Sequence, residues 1–409
     1  MEENGFHIPN IYLPRKDVDL SKWAVISCDQ HSSNKEFWKT LNKHIGTAPS
    51  TLRMIHPEVY GTYNIDYQSI QEAMEEYKKT VLTFKGNSPV FIRRYHNSSY
   101  RSGILLALNL DKYRIEAGNQ APVRASERTV KERLPIRMKI RELSTLDLSH
   151  AYILVNDPSC SLIEGLEPYI KNELYDFSLS MHAGRISGHL IGNKGIQHIN
   201  EIFIRLAEEG HNFSIVGDGN HHIASAKQVW EHEKQDHSLP KNHPLGKTLV
   251  EVINVHNPHL KCYPIHRVIK HINTTQLLER LCEHAQFSSK SNYNISLLKP
   301  NEMFYKDVKQ EGLLIWQKSN IFTCIKEMDA NLEDISSKTP SASIDYIHGE
   351  KETLALSNAP NTACIILPPV PKHKIFHAVS EIGLLPKKSF SLGTAKDKRH
   401  YLEVNLLYE

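Results

Sequence analysis

The sequence predicts an α/β or α+β protein in which mixed sheets are flanked by helices. Three observations carry that prediction. Short β-rich runs recur along the chain, among them Val90-Phe91-Ile92, Tyr152-Ile153-Leu154-Val155 and Leu249 to Ile253. Longer stretches place apolar residues at three- and four-residue steps, the period of a helix with one buried face. The two kinds of segment are interspersed without a strict βαβ rhythm, which argues against a purely parallel doubly wound sheet.

The clearest helix is expected from Asp66 to about Phe84. Tyr67, Ile70, Met74, Tyr77, Val81 and Phe84 recur on one face, Asp66 suits the cap, and Gly86 follows. A second runs over 196–209, with Ile199, Ile202, Phe203 and Leu206 inward and Gly210 at the C-cap. Others are expected over 221–234, 275–287 and 374–383. Further strands are expected at Ile104 to Ala107, Leu313 to Trp316 and Cys364 to Leu367. Polar or Pro/Gly-containing linkers are read at 117–122, 237–246 and 333–343. They suggest an N-terminal α/β region (1–120), a central region (121–245) and a C-terminal α/β region (246–409).

A chain of 409 residues is long enough for two or three domains. Its net charge of +3 gives little general field for a nucleic acid, so nucleic-acid binding is not expected. No apolar run approaches the roughly 18 residues of a membrane helix, and Met1-Glu2-Glu3-Asn4 lacks the form of a signal peptide. The six cysteines are scattered and never form C-x-x-C, as in a reducing compartment. A cytoplasmic location without membrane association is therefore expected.

The densest polar chemistry lies at Val216-Gly217-Asp218-Gly219-Asn220-His221-His222. An apolar strand, Phe213 to Val216, enters this turn, and a helix-like stretch leaves it. That layout aims the free N–H groups of a helix N-terminus at an anion. Gly217 and Gly219 permit positive φ and close approach to a ligand. Asp218 is suited to a cation or a proton, and Asn220, His221 and His222 to a phosphate. A capped surface turn needs only one such group, and this one has four.

Five arginines and two lysines fall between Arg124 and Arg141, a supply of bidentate phosphate or carboxylate partners that includes Arg124, Arg133 and Arg137. Glu127, Glu132 and Glu142 would equally make a solvated helical face, although Pro135 interrupts any single helix through the segment. The pair His266-Arg267 and the loop Leu385-Pro386-Lys387-Lys388-Ser389 are further anion candidates. Asp29 ends the apolar run Trp23 to Ile26, where α/β sheets present ligand groups. Cys28 beside it reads as core rather than nucleophile.

Taken in order, these segments resemble the microbial family known as domain of unknown function 1015. The resemblance is carried by KWAVISCDQHSSNKEFW (22–38), PSTLRMIHPEVY (49–60), VRASERTVKERLPIRMKIRE (123–142) and YDFSLSMHAGRISGHL (175–190). It continues through VGDGNHHIASAK (216–227), YPIHRV (263–268), DYIHGE (345–350) and LPKKSFSLGTAKDKRHYLE (385–403). The turn DGNHH is also similar to the strand–turn–helix box of the ParB/sulfiredoxin-like group, which includes a free-serine kinase. That resemblance implies that Asp218, Gly219, Asn220 and His221 cradle nucleotide phosphates. His222 stands where the box usually has Arg, and Asn220 replaces the cysteine of sulfiredoxins.

The resulting expectation is a nucleotide-dependent phosphotransferase acting on a small polar metabolite, with ATP or ADP and magnesium. Gly217, Gly219, Asn220, His222, Arg124, Arg133, Arg137, Arg267 and Lys387 would bind the nucleotide, and His266 would add stabilisation. Asp29 or Glu127 would hold magnesium or act as base, with Asp218 and His221 at the reacting end and Asp218 as the metal candidate. Such chemistry needs positioning and positive charge more than a covalent nucleophile. A metal-dependent hydrolase or lyase, and a non-catalytic nucleotide- or anion-binding regulator, are the alternatives.

Overall fold

Strand Tyr152–Val155 is apolar and buried along its whole length, as a central strand should be. It pairs parallel with Lys247–Asn254 on one side and antiparallel with Ser214–Asp218 on the other. The computed structural model describes the chain except residues 97–98, 117–120, 130–133, 211–212, 290–292 and 409. Arg133 and most of the first predicted linker lie outside the described residues. The protein is mixed α/β, with antiparallel and mixed sheets. It divides into two compact units, residues 1–260 with 395–409 and residues 261–394.

In the first unit the main sheet runs Ile170–Ser178, Arg185–Ile191, Val90–His96, Ser99–Asn109, Lys247–Asn254, Tyr152–Val155, Ser214–Asp218, Val123–Arg124, Tyr113–Arg114. Its register places Asp218 and Glu251 on either side of Tyr152. A second sheet orders Leu82–Asn87, Asn10–Pro14, Val404–Leu406 and Leu146–Leu148, all antiparallel. A short ladder pairs His400–Tyr401 with Val25–Ile26. The second unit is an antiparallel sheet ordered Ala285–Ser289, Glu311–Trp316, Glu302–Lys306, Thr362–Ile366, Cys262–Lys270, Ser343–His348, with Phe390–Leu392 also on Cys262–Lys270.

The helices follow their apolar periods. Asn193–Glu209 buries Ile199, Phe203 and Leu206, and Phe203 stacks on Phe6 at 5.0 Å. Each such burial stabilises by roughly 1.5–3 kcal/mol relative to exposure. The helix expected to reach Phe84 instead spans Tyr67–Thr80. Asp66 caps it through Ser69 N, and Leu82–Asn87 then pairs with Asn10–Pro14, so strand pairing overrides the helical period. Likewise the helix expected to reach residue 287 ends at Cys282, because Ala285–Ser289 pairs with Glu311–Trp316.

Among the described residues, helices Leu20–Trp23, Lys35–Ile45, Leu134–Leu143, Ile321–Lys338 and Glu350–Leu356 escaped the sequence reading. As expected from Pro135, no single helix runs through the Arg-rich segment: Val123–Arg124 is a strand, and Pro135 sits at the second position of helix Leu134–Leu143, where its missing N–H costs nothing. Ile321–Lys338 covers the first half of the linker expected at 333–343, burying Phe322, Ile325, Met328 and Leu332. No helix among the described residues is long and apolar enough to cross a membrane.

Candidate functional site

Strand Ser214–Asp218 delivers Asp218 to the mouth of helix Asn220–Asp236. Gly217 is the fourth residue of that extended strand. Gly219 takes a left-handed conformation, φ 81°, and a Cβ there would come within 2.8 Å of Ala151 Cβ. Both conditions demand glycine. No side chain caps the helix. Asp218 Oδ1 accepts the Gly219 N–H at 2.8 Å, while Oδ2 receives Lys398 Nζ at 2.7 Å. Asn220 Nδ2 lies 3.5 Å from Ser126 Oγ, and its buried Oδ1 has no hydrogen-bond partner among the described residues.

His222, in the first turn, lines a cavity of about 270 Å³ with Cys28, Glu58, Arg137, His150 and Tyr401. Helix Leu134–Leu143 supplies Arg137, which forms an ion pair with Glu58. His222 Nε2 lies 3.3 Å from Thr248 Oγ1, which donates to buried Asp147 at 3.0 Å. Asp147 also pairs with Arg141 and accepts Leu249 N–H at 2.6 Å. The His150 and His222 rings are 5.2 Å apart, and His150 Nδ1 is 2.9 Å from Tyr401 OH. The ladder between Val25–Ile26 and His400–Tyr401 brings the turn carrying Asp29 beside Lys398.

Electrostatics bind these groups into one site. Burial lowers the pKa of His150, partly offset by Asp29 and Asp218. Burial, with His150, Arg141 and Arg137 nearby, sets His222 well below the ordinary histidine value, so both rings are neutral at pH 7. Burial opposes the Lys398 charge, but Asp218 and Asp29 outweigh it and raise the pKa. Arg137 is likewise held charged against burial by Cys28, Glu58 and Asp29.

Burial pushes the Cys28 thiol up to about 11. A thiol so placed is a poor nucleophile at neutral pH. Cys28→Ser is therefore expected to retain activity within about twofold, and native Cys28 to resist iodoacetamide at pH 7.5. Mass mapping of the alkylated cysteines checks this, and rapid labelling of Cys28 would refute it.

Of the sequence candidates, Asp29, Arg137, Asp218 and His222 come together here. Gly217, Gly219, Asn220 and His221 form the adjoining turn. Arg124 is buried on strand Val123–Arg124, which pairs with Ser214–Asp218, and burial lowers its pKa. Glu127 follows that strand half-buried; neither it nor Arg124 lines the cavity. Sequence reasoning missed Glu58 and His150. Glu58 lies within a family segment quoted above, but nothing in local spacing singles it out. Lys398 and Tyr401 belong to the run Lys398-Arg399-His400-Tyr401 that follows the Lys387 loop, itself an anion candidate in the sequence.

His266, Arg267 and Lys387 belong to the second unit. Arg267 is fully buried, gives Nε and Nη2 to Asp329 at 2.9 and 2.8 Å, and lies over Tyr346. Lys387 pairs with Glu333 at 3.0 Å. His266 Nδ1 accepts the Leu367 N–H at 3.1 Å, and burial lowers its pKa to about 4, helped by Arg267 and His348. The fold holds this ring neutral, whereas the unfolded chain takes up a proton near pH 6.5. Its stabilisation is complete above pH 6.5 and is lost as pH falls toward 4. Denaturant titrations are expected to show about 2 kcal/mol less stability at pH 5 than at pH 6.5 from this group. His266→Gln should remove that increment, and an unchanged pH slope would refute it.

No group of three or more His, Cys, Asp or Glu among the described residues is arranged to hold a metal ion. Among solved structures, the chain is similar to C-terminally truncated SbnI from Staphylococcus aureus, at 12% identity and a TM-score of 0.40. That match covers 71% of this chain and 82% of the other. A conserved hypothetical protein from Pyrococcus furiosus matches at 10% identity and 0.40, covering 74% and 95%. A free serine kinase in complex with AMP matches at 10% and 0.41, covering 74% and 91%. No curated protein matches the chain. The model of one family, described as protein of unknown function (DUF1015), matches residues 11–345, and the chain belongs to that family.

Proposed function

We propose that the cavity and the adjoining turn form the active site of a nucleotide-dependent phosphotransferase that uses ATP or ADP with magnesium. The observation that carries this reading is the gathering of Arg137 and Lys398, both held charged, with Asp29 and Glu58 around the uncapped N-terminus of helix Asn220–Asp236. Phosphates are suited to the backbone N–H groups and positive field of that mouth. Lys398 and Arg137 neutralise charge that develops on the transferred group. Lys398 is itself oriented by Asp218.

Asp29 is the base in this reading: it accepts the proton of the substrate hydroxyl as the new P–O bond forms and the nucleotide's terminal P–O bond breaks. Neutral His150 and His222 contribute hydrogen bonds without competing for that proton. Magnesium is ordinarily held by one or two carboxylates and the nucleotide's own phosphates, so a pre-built cluster of ligands is not required. Glu58 is the carboxylate suited to it, Asp29 keeping the role of base, and the ion would supply charge neutralisation. The same turn is similar to the strand–turn–helix box of the ParB/sulfiredoxin-like group, with His222 where that box usually has Arg.

Calorimetric titration of ATP and ADP, with magnesium, into the wild type and Lys398→Met tests the reading. Saturable binding is expected, weakened at least tenfold in the variant, with circular dichroism confirming the fold. Absence of nucleotide binding to the wild type would overturn it.

A further inference from the structure

Two chemically distinct sets of side chains line the cavity. Glu58, Arg137, His150 and His222 occupy one part of its lining. Met54, Ile55, Met74, Ile140, Leu146 and Leu148 give the same lining an aliphatic wall. Met54, Met74, Leu146 and Leu148 belong to the main apolar core of the first unit, so this space is indented into the core. A serine-sized polar molecule would leave that wall facing water or a void, at a cost in hydration and lost contacts.

Two buried donors on the same lining are unsatisfied. Ser225 is 2% exposed, and its Oγ has no hydrogen-bond partner among the described residues. It lies three residues after His222, on the same face of the helix. Arg141, 5% exposed, engages Asp147 and the Lys247 carbonyl through its terminal nitrogens, yet its Nε has no partner. Buried donors are rarely left without acceptors. Both residues line the cavity, so a bound molecule is the available source of acceptors.

We infer that the substrate is amphipathic: a hydroxyl-bearing metabolite with an aliphatic body, its polar head among Arg137, His150 and His222 and its hydrocarbon against the Met54–Leu148 wall. A cavity of 150 Å³ accommodates benzene, so this one has room for about ten non-hydrogen atoms. The inference rests on the phosphotransferase reading for the hydroxyl, but the mixed polar and aliphatic lining stands without it. It replaces the small polar metabolite of the sequence expectation with a larger, partly apolar one.

The test is a calorimetric series with inorganic phosphate and butyl, hexyl and octyl phosphate, which mimic a phosphorylated product, alongside a separate ATP titration. Affinity is expected to rise about fourfold per methylene until the compartment is full. Ile140→Trp, which fills the wall from helix Leu134–Leu143, should abolish the gain for hexyl and octyl phosphate while leaving butyl phosphate within about threefold. The wild-type series needs no variant to fold. A flat chain-length series overturns the inference even if ATP binds. A graded series without ATP binding upholds the amphipathic ligand, and then the phosphotransferase reading and the hydroxyl assigned with it fall.

Discussion

Asp29→Asn is expected to lower kcat by about 10²- to 10⁴-fold while leaving KM for the nucleotide within a few-fold. That range is what a positioned general base contributes. The substitution keeps the shape of the turn after strand Val25–Ile26 and removes only the charge and the ability to take a proton. It also removes a charge that raises the pKa of His150 and helps keep Lys398 protonated. The pH profile of any residual activity should therefore lose its acidic limb. Single-turnover kinetics with melting curves decide the matter. Unchanged kcat would remove Asp29 from the chemistry, and a lowered Tm with matching loss of activity would make it a structural residue.

The largest expected effect on stability comes from Glu251→Gln. Glu251 is 2% exposed and accepts Arg101 Nη2 at 3.2 Å and Arg399 Nη1 at 2.7 Å. Arg399 also donates to Glu403 at 2.6 Å, and Glu403 accepts the Tyr175 hydroxyl. Gly103 makes the arrangement possible, since a Cβ there would lie 2.7 Å from Glu251 Oε1. Neutralising Glu251 leaves buried Arg399 with Glu403 and buried Arg101 with only the Tyr152 hydroxyl among the described residues, so a loss of about 3–5 kcal/mol is expected. Asp334→Asn, which breaks the exposed pair with Lys338, should cost under about 1 kcal/mol. Urea midpoints of the two variants make the comparison, and equal shifts would show that the buried network contributes no more than a surface pair.

The same network explains why the site was only half legible in the sequence. The turn at 217–222 announced itself through composition, and Asp29 and Arg137 through their segments, because each is a local pattern. Lys398 reaches Asp218 across 180 positions, and Tyr401 reaches His150 across 251. Sheet pairing creates those neighbours, and one chain's spacing carries no trace of it. The elements divide in the same way. Tyr152–Val155 is wholly apolar and was readable as a strand, whereas the polar second half of Ile321–Lys338 hid a helix whose first half is packed. Phe84 fits a helical period, yet pairing of its segment with Asn10–Pro14 makes it part of a strand.

The return of the chain to its first unit bears on how the protein is made. Val404–Leu406 is not an edge strand: it lies between Asn10–Pro14 and Leu146–Leu148. Residues 395–409 also bring Lys398, Arg399 and Tyr401. A nascent chain that has emerged only through residue 394 holds the whole second unit but has a gap in a sheet of the first. Two strands wait there with unpaired backbone edges, the kind of surface that recruits a stray strand. Residues 395–409 are therefore a keystone of the first unit. Completion of the candidate site waits on a segment that follows the whole second unit in the sequence, and a chain halted before that segment presents open strand edges, a target for chaperones.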